Sequence, residues 1–122
     1  MDGQPDGRRA GQCPLDAVAA MRRDIDEIAG GEAPPTLVAF VDCWTSLGGS
    51  QFLNSPGTGR YQDFLCDEAV AFVDKRYRTI PDRDHRGIQG KSSGGYGALV
   101  TPMLRPDVFS ALASHAGDAL FE

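Results

Sequence analysis

The residues best suited to chemistry lie in Gly90-Lys91-Ser92-Ser93-Gly94-Gly95, which contains the spacing G-x-S-x-G. This spacing is typical of a sharp turn from a strand into a helix, with a nucleophilic serine held at the apex in a strained conformation. Such a turn needs very small residues two before and two after the serine. Gly90 and Gly94 meet that need for Ser92, whereas Ser93 has a lysine two residues before it. The sequence therefore predicts Ser92 as the nucleophile.

A turn of this kind requires a strand before it and a helix after it. Arg86–Gln89 is predicted as the strand, and a helix with many small residues is predicted from about Ser93 to Leu104. Pro102 lies inside this helix and lacks a backbone N–H, so it should kink or shorten the helix. Ser110–His115 is predicted as a further short strand.

The upstream elements are read from apolar periodicity. Pro14–Ile28 predicts a helix that ends at Gly30-Gly31, and the apolar run Thr36–Val41 predicts a strand buried on both faces. A long loop is expected from Thr45 to about Gly59. A second helix follows from about Tyr61 to Tyr77, with one face formed by Leu65, Ala69, Phe72, Val73 and Arg76. The order α-β-α-β-α-β implies an α/β fold with parallel strands and right-handed helical crossovers.

An alternative interpretation of the same glycine-rich stretch is a phosphate-binding loop. Gly90-Lys91-Ser92 matches the end of G-x-x-x-x-G-K-[ST], but the first glycine of that motif would fall on His85. Without that glycine the loop lacks the backbone freedom to wrap a phosphate. Nucleotide binding is therefore the weaker hypothesis.

Composition and charge argue against several classes of function. The chain has 122 residues, a net charge of −5 and 12 basic residues in no long run, which argues against nucleic acid and anionic membranes as partners. No apolar stretch approaches the roughly 20 residues of a membrane span. The first residues do not form a signal peptide, so a cytoplasmic location is expected. Cys13, Cys43 and Cys66 fit neither a disulfide framework nor a zinc site, and we expect no metal or cofactor.

Several stretches together resemble the putative-esterase family of α/β-hydrolases, which includes esterase D-like, enterochelin esterase-like and mycolyltransferase-like enzymes. The resemblance covers most of the chain from Thr36 to Glu122. The stretches that carry it are Val41–Thr45, Gly48–Ser55, Thr58–Tyr61, Phe72–Thr79, Gly90–Leu99, Arg105–Phe109 and Ser114–Asp118.

The resemblance implies hydrolysis of small-molecule esters or thioesters, or acyl transfer, through an acyl-enzyme and without a metal. Ser92 would be the nucleophile, and the backbone N–H of Ser93 would donate to the oxyanion. Two departures change the wall of the acyl pocket, since Lys91 stands where such enzymes often have histidine and Ser93 where they often have methionine. Trp44 and Tyr96 are further candidates for the border of this pocket, and a packing role is an equally strong expectation for each.

The resemblance also implies a triad acid and base that follow later strands, and the sequence ends before both. We therefore expect an incomplete α/β-hydrolase domain over 13–122, preceded by a disordered segment 1–12, and a chain that is inactive alone. His115, with Asp118 to orient it, is the local candidate for a substitute base, although a role in lining the pocket or in hydrogen-bonding a loop is the stronger expectation. His85 precedes the strand before the turn and is expected in a surface loop.

A non-catalytic alternative follows from the same incomplete sheet. Strands with exposed edges can pair with another chain. The chain would then be a dimerising or partner-binding module, with a homodimer formed through its exposed sheet edges.

Overall fold

The computed structural model of this chain describes residues 26–118. The chain divides into two compact units, residues 1–42 and residues 43–122. The predicted segment 1–12, Cys13 and most of the helix predicted from Pro14 lie outside the described residues.

The first unit contains the end of the helix predicted from Pro14. Residues 26–29 are helical (α1), and Gly31 follows with φ +76. The N–H of Glu32 donates to the carbonyl of Glu27 at 2.9 Å, and that of Gly31 donates to the carbonyl of Ile28 at 3.2 Å. This pair of bonds closes a helix around a left-handed glycine. The helix end predicted at Gly30-Gly31 is confirmed.

The strand predicted over Thr36–Val41 is wrong, because residues 34–42 form neither strand nor helix. Leu37 is 55% exposed and Phe40 is 58% exposed, although both were expected to be buried. An apolar run becomes a buried strand only when neighbouring strands supply its backbone hydrogen bonds. Among the described residues no strand pairs with this run.

The second unit begins with two small antiparallel hairpins in the stretch that was predicted as a long loop. Strand β1 (Trp44–Thr45) pairs with β2 (Gly48–Gly49), and β3 (Asn54–Ser55) pairs with β4 (Gly59–Arg60). The Thr45 hydroxyl donates to the Gly48 carbonyl at 2.7 Å. Gly48 and Gly59 have φ of +113 and +117, which only glycine adopts without strain.

The helix predicted from Tyr61 to Tyr77 is present over residues 61–76. It consists of α2 (Tyr61–Asp63), a π-helical segment (Phe64–Ala69) and α3 (Val70–Arg76). Phe72 belongs to the face predicted for this helix but is 58% exposed, whereas Leu65 and Cys66 are buried. The i→i+5 bonding of a π segment rotates the residues that follow it away from their α-helical positions.

The carboxyl half of this unit carries a strand–helix–strand arrangement. Strand β5 (Gly87–Lys91) pairs in parallel with β6 (Ala111–His115), and helix α4 (Ser93–Leu104) connects them and packs on both. The predicted helix and the two predicted strands are therefore present, with shifts of one or two residues at the strand ends. Helix α4 continues past Pro102 to Leu104.

The core lies where helix 61–76 meets this arrangement. Cys66, Val108 and Phe109 are buried together, with Val70 and Ile88 packed against them. Arg86 joins the same elements, because its guanidinium donates to the Asp74 carboxylate at 2.8 Å and to the Val108 carbonyl at 3.0 Å. These contacts fix the start of β5 against the helix.

The sheet of β5 and β6 has two strands, and both strands contact helix α4. Every residue of β6 is exposed, and Leu112 keeps 46% of its surface accessible. Within residues 26–118 the helices are accompanied by three two-stranded sheets and by no closed barrel. In the same residues we find no helix with the length and apolar character needed to cross a membrane.

Candidate active site

Ser92 occupies the single position between β5, which ends at Lys91, and α4, which begins at Ser93. Its backbone has φ +57 and ψ −123, a conformation that L-residues rarely adopt and that costs on the order of 1–3 kcal/mol. Two hydrogen bonds hold it there. The Ser92 N–H donates to the His115 carbonyl at 3.0 Å, and the Ser92 carbonyl accepts from the Tyr96 N–H at 3.0 Å.

The two glycines that flank the turn differ in the space that a side chain would have at each position. A Cβ on Gly90 would overlap the backbone of Gly94 and lie 2.9 Å from its α-carbon. A Cβ on Gly94 would meet no atom within 4 Å outside its own helix. The backbones on the two sides of Ser92 therefore approach too closely for a side chain at Gly90, as predicted. The expected steric requirement at Gly94 is wrong.

The first turn of α4 presents unpaired backbone donors beside Ser92. The first N–H groups of a helix have no intrahelical acceptor, and they form its partially positive end. The Ser92 hydroxyl does not cap them, and within residues 26–118 the N–H groups of Ser93 and Gly94 donate no hydrogen bond. An oxygen that gains negative charge close to Ser92 would meet these donors.

His115 reaches Ser92 through its backbone. In the parallel sheet His115 is the register partner of Lys91, and its carbonyl accepts the Ser92 N–H. The preceding residue, Ser114, directs its side chain onto α4, so the imidazole of His115 points to the opposite face of the strand. Within the described residues no hydrogen bond joins this imidazole to Ser92 or to Asp118, and both His115 and Asp118 are exposed.

The other predicted site residues are spread over the second unit. Tyr96 lies in the first turn of α4 and is partly buried, and Lys91 is exposed at the end of β5. Trp44 is 59% exposed in β1, where its ring covers Gly49.

His85 lies in a short 3-10 turn (Arg83–His85) before β5, at the end of the strand opposite Ser92. This agrees with the expected surface position. The structure adds a partner that was not predicted, because His85 Nδ1 lies 2.8 Å from the carboxylate of Asp82. The hydrogen bond from His85 lowers the pKa of Asp82.

Three residues that the sequence did not single out contact the segment that follows Ser92. Ser114 donates a hydrogen bond to the Gly95 carbonyl at 2.9 Å, and Gly117 packs so closely on Gly95 that a Cβ there would lie 2.8 Å from its carbonyl carbon. The ring of Phe52 lies where a side chain on Gly97 would be. These partners are far apart in sequence, so no local pattern could have indicated them.

The phosphate-loop alternative does not fit this geometry. A loop that wraps a phosphate needs several residues between its strand and its helix. Here Gly90 and Lys91 belong to β5, and only Ser92 separates the strand from α4.

The described site thus belongs to an α/β-type chain with a strained serine between a parallel strand and the amino terminus of a helix. A family model described as "Putative esterase" matches residues 48–119, more than half of the chain. The chain belongs to this family, which confirms the resemblance drawn from the sequence. The match includes the second hairpin, the Ser92 turn and β6, and membership supports a general function as an esterase or hydrolase.

Proposed function

We propose that this chain is a serine hydrolase of carboxylic esters or thioesters, with Ser92 as its nucleophile, built on part of an α/β-hydrolase fold. The observation that carries the proposal is the position of Ser92, at φ +57 directly before the amino terminus of α4. Strain of this size persists at a site only when the surrounding contacts hold it, and such strain is concentrated at functional sites. Family membership supplies independent support for ester chemistry.

The chemical step is nucleophilic substitution at an acyl carbon. The Ser92 hydroxyl oxygen bonds to the carbonyl carbon, its proton passes to a base, and the carbonyl oxygen becomes an oxyanion. Collapse of this intermediate breaks the bond to the alcohol or thiol, which leaves with a proton, and water then releases the acid from the acyl-enzyme. We assign the Ser93 N–H as an oxyanion donor, and one such donor contributes about 10²–10³ in rate.

The identity of the base limits the expected rate. Within residues 26–118 no imidazole is hydrogen-bonded to Ser92, so we do not assign His115 as the base. Where base assistance is lost, oxyanion stabilisation and binding still give roughly 10³–10⁴ over the uncatalysed reaction. The expected behaviour of this chain is therefore slow but selective acylation of Ser92. Lys91 and Tyr96, on either side of the turn, are proposed as walls of the acyl pocket.

The test is the rate at which a fluorophosphonate modifies the purified chain, followed by intact mass. The baseline is the labelling rate of the same chain unfolded in guanidinium, in which no serine hydroxyl is activated by the fold. We expect one adduct, formed well above the baseline rate, that is absent in Ser92→Ala and retained in the matched variant Ser93→Ala. Labelling at the baseline rate, or an adduct that survives Ser92→Ala, would overturn the proposal.

A second candidate is a dimerising module without catalysis. It is favoured by β6, which is exposed along its whole length and is paired on one side only among the described residues. Sedimentation velocity, together with the labelling rate, distinguishes the two functions. A folded dimer that reacts with the probe only at the baseline rate would replace the hydrolase proposal with this one.

A further inference from the structure

The segment Ser114–Gly117 contacts the chain around Ser92 at three successive points. We propose that this segment positions the Ser93 N–H for the oxyanion, with the Ser114 hydroxyl as the principal positioning residue. This inference rests on the proposed hydrolase function. It assigns a role to residues that touch neither the substrate nor the reacting atoms.

Two hydrogen bonds from the segment lie on either side of the Ser93 amide. The His115 carbonyl accepts the Ser92 N–H at 3.0 Å, one residue before that amide. The Ser114 hydroxyl donates to the Gly95 carbonyl at 2.9 Å, two residues after it. A carbonyl oxygen has two lone pairs, so Gly95 can accept from Ser114 while it also serves the helix. The Ser93 amide is thereby held between two points that β6 fixes.

Packing beyond the strand adds a third restraint. A Cβ on Gly117 would lie 2.8 Å from the Gly95 carbonyl carbon and 3.0 Å from the Tyr96 nitrogen. The residue before it, Ala116, has φ +48, although it is not glycine. Since Lys91 and His115 are register partners, Ser92 and Ala116 leave the sheet side by side, and both are strained. The surrounding contacts must hold both residues in these conformations.

Small displacements of the turn should affect the chemistry strongly. Oxyanion donors act when they lie about 2.7–3.1 Å from the position that the oxyanion takes. Loss of the Ser114 bond frees the first turn of α4 to move relative to β6, and the Ser93 N–H moves with it. A positioning role predicts a slower chemical step with unchanged binding of the probe. A purely structural role predicts lower stability, without a chemical step that slows while probe binding stays unchanged.

The experiment compares Ser114→Val with Ser114→Thr, which have the same shape and differ in the hydroxyl group. The rate of fluorophosphonate labelling is measured against probe concentration, which separates the saturating rate from the half-saturating concentration. Ser110→Ala is the control, because the Ser110 hydroxyl also contacts a carbonyl, that of Arg86 at 3.4 Å, but at the far end of β6. Ser114→Ala, which adds no volume, replaces Ser114→Val if circular dichroism shows that the valine variant is unfolded.

We expect Ser114→Val to lower the saturating rate about tenfold or more, with the half-saturating concentration unchanged. Ser114→Thr and Ser110→Ala should retain the wild-type rate. Equal rates for the valine and threonine variants, with normal labelling of the wild type at Ser92, would overturn this inference and leave the proposed function intact. Wild-type labelling at the rate of the unfolded chain would overturn both.

Discussion

Gly90 and Gly94 face each other across the turn at Ser92, but only Gly90 lacks room for a side chain. A side chain on Gly90 would overlap the backbone of Gly94, whereas one on Gly94 would point into open space. Two glycines that look equivalent in the G-x-S-x-G spacing are therefore unequal in the folded chain. The difference can be measured directly.

The first prediction concerns alanine at each of these glycines. Gly90→Ala should destabilise the chain by about 1–3 kcal/mol, because overpacking against the backbone must displace the start of α4. It should also slow labelling of Ser92. Gly94→Ala should stabilise the chain by up to about 1 kcal/mol, since glycine in a helix costs that amount relative to alanine. Urea denaturation of both variants provides the test, and equal losses of stability would contradict it.

The second prediction concerns the contact between Phe52 and Gly97. A Cβ on Gly97 would lie 2.7 Å from Cγ of Phe52, so Gly97→Ala should destabilise the chain by about 1–3 kcal/mol. With Phe52→Ala already in place, the same substitution should cost clearly less, because the ring is gone and only Cβ of residue 52 remains close, at 3.1 Å. The free energies of unfolding of the two single variants and the double variant form the measurement.

Additive effects in that cycle would show that the ring does not restrict Gly97. Phe64→Ala is a matched control for loss of an aromatic side chain elsewhere, because Phe64 packs edge-on against Tyr61 in helix 61–76. In the Phe64→Ala background the cost of Gly97→Ala should stay at its full value.

The third prediction concerns acid and the ion pair of Asp107 with Arg105. Hydrogen bonds from Arg105 lower the pKa of Asp107 below its ordinary value near 3.9. The folded-state pKa is the lower one, so the pair stabilises the fold above about pH 4, and this contribution is lost as the pH falls further. Asp107→Asn should therefore be less stable than the wild type at pH 7, and the gap should shrink by pH 3.

Urea denaturation at the two pH values measures this gap. The Asp107 carboxylate is largely exposed, so the effect should be modest and should weaken in high salt. Glu68→Gln is the control, since Glu68 is exposed and makes no hydrogen bond or ion pair within residues 26–118. A gap for Asp107→Asn that is unchanged between pH 7 and pH 3 would contradict the prediction.

Local sequence patterns were sufficient to predict helix 61–76 and helix α4. Helix 61–76 and helix α4 appear close to their predicted bounds, because apolar spacing, helix formers and end signals all act within a few residues. Small residues after Ser92 likewise indicated a helix packed closely on a sheet. The two hairpins between Trp44 and Arg60 escaped prediction because their strands have two residues each, too few for an alternating pattern.

Burial could not be predicted from the same patterns. The run Thr36–Val41 has the composition of a buried strand, yet burial depends on neighbours that composition does not specify. Phe72 fits the apolar face of an ideal α-helix, but the π segment before it rotates it outward. For the run Thr36–Val41 the deciding neighbours lie outside the window in which periodicity is read. For Phe72 the deciding feature is a change of helix type, which apolar periodicity does not record.

The sequence alone determined the family, the identity of the candidate nucleophile and the strand–turn–helix order around it, because these follow from residues that are neighbours in the chain. Only the tertiary structure decided that Gly90, and not Gly94, is sterically required. It alone also placed the backbone of His115 at Ser92 and the Ser114 hydroxyl on the first turn of α4. These contacts join residues about twenty positions apart. They exist because β6 pairs with β5 in the register that sets His115 beside Lys91. The order of elements predicted parallel strands, but it does not specify this register.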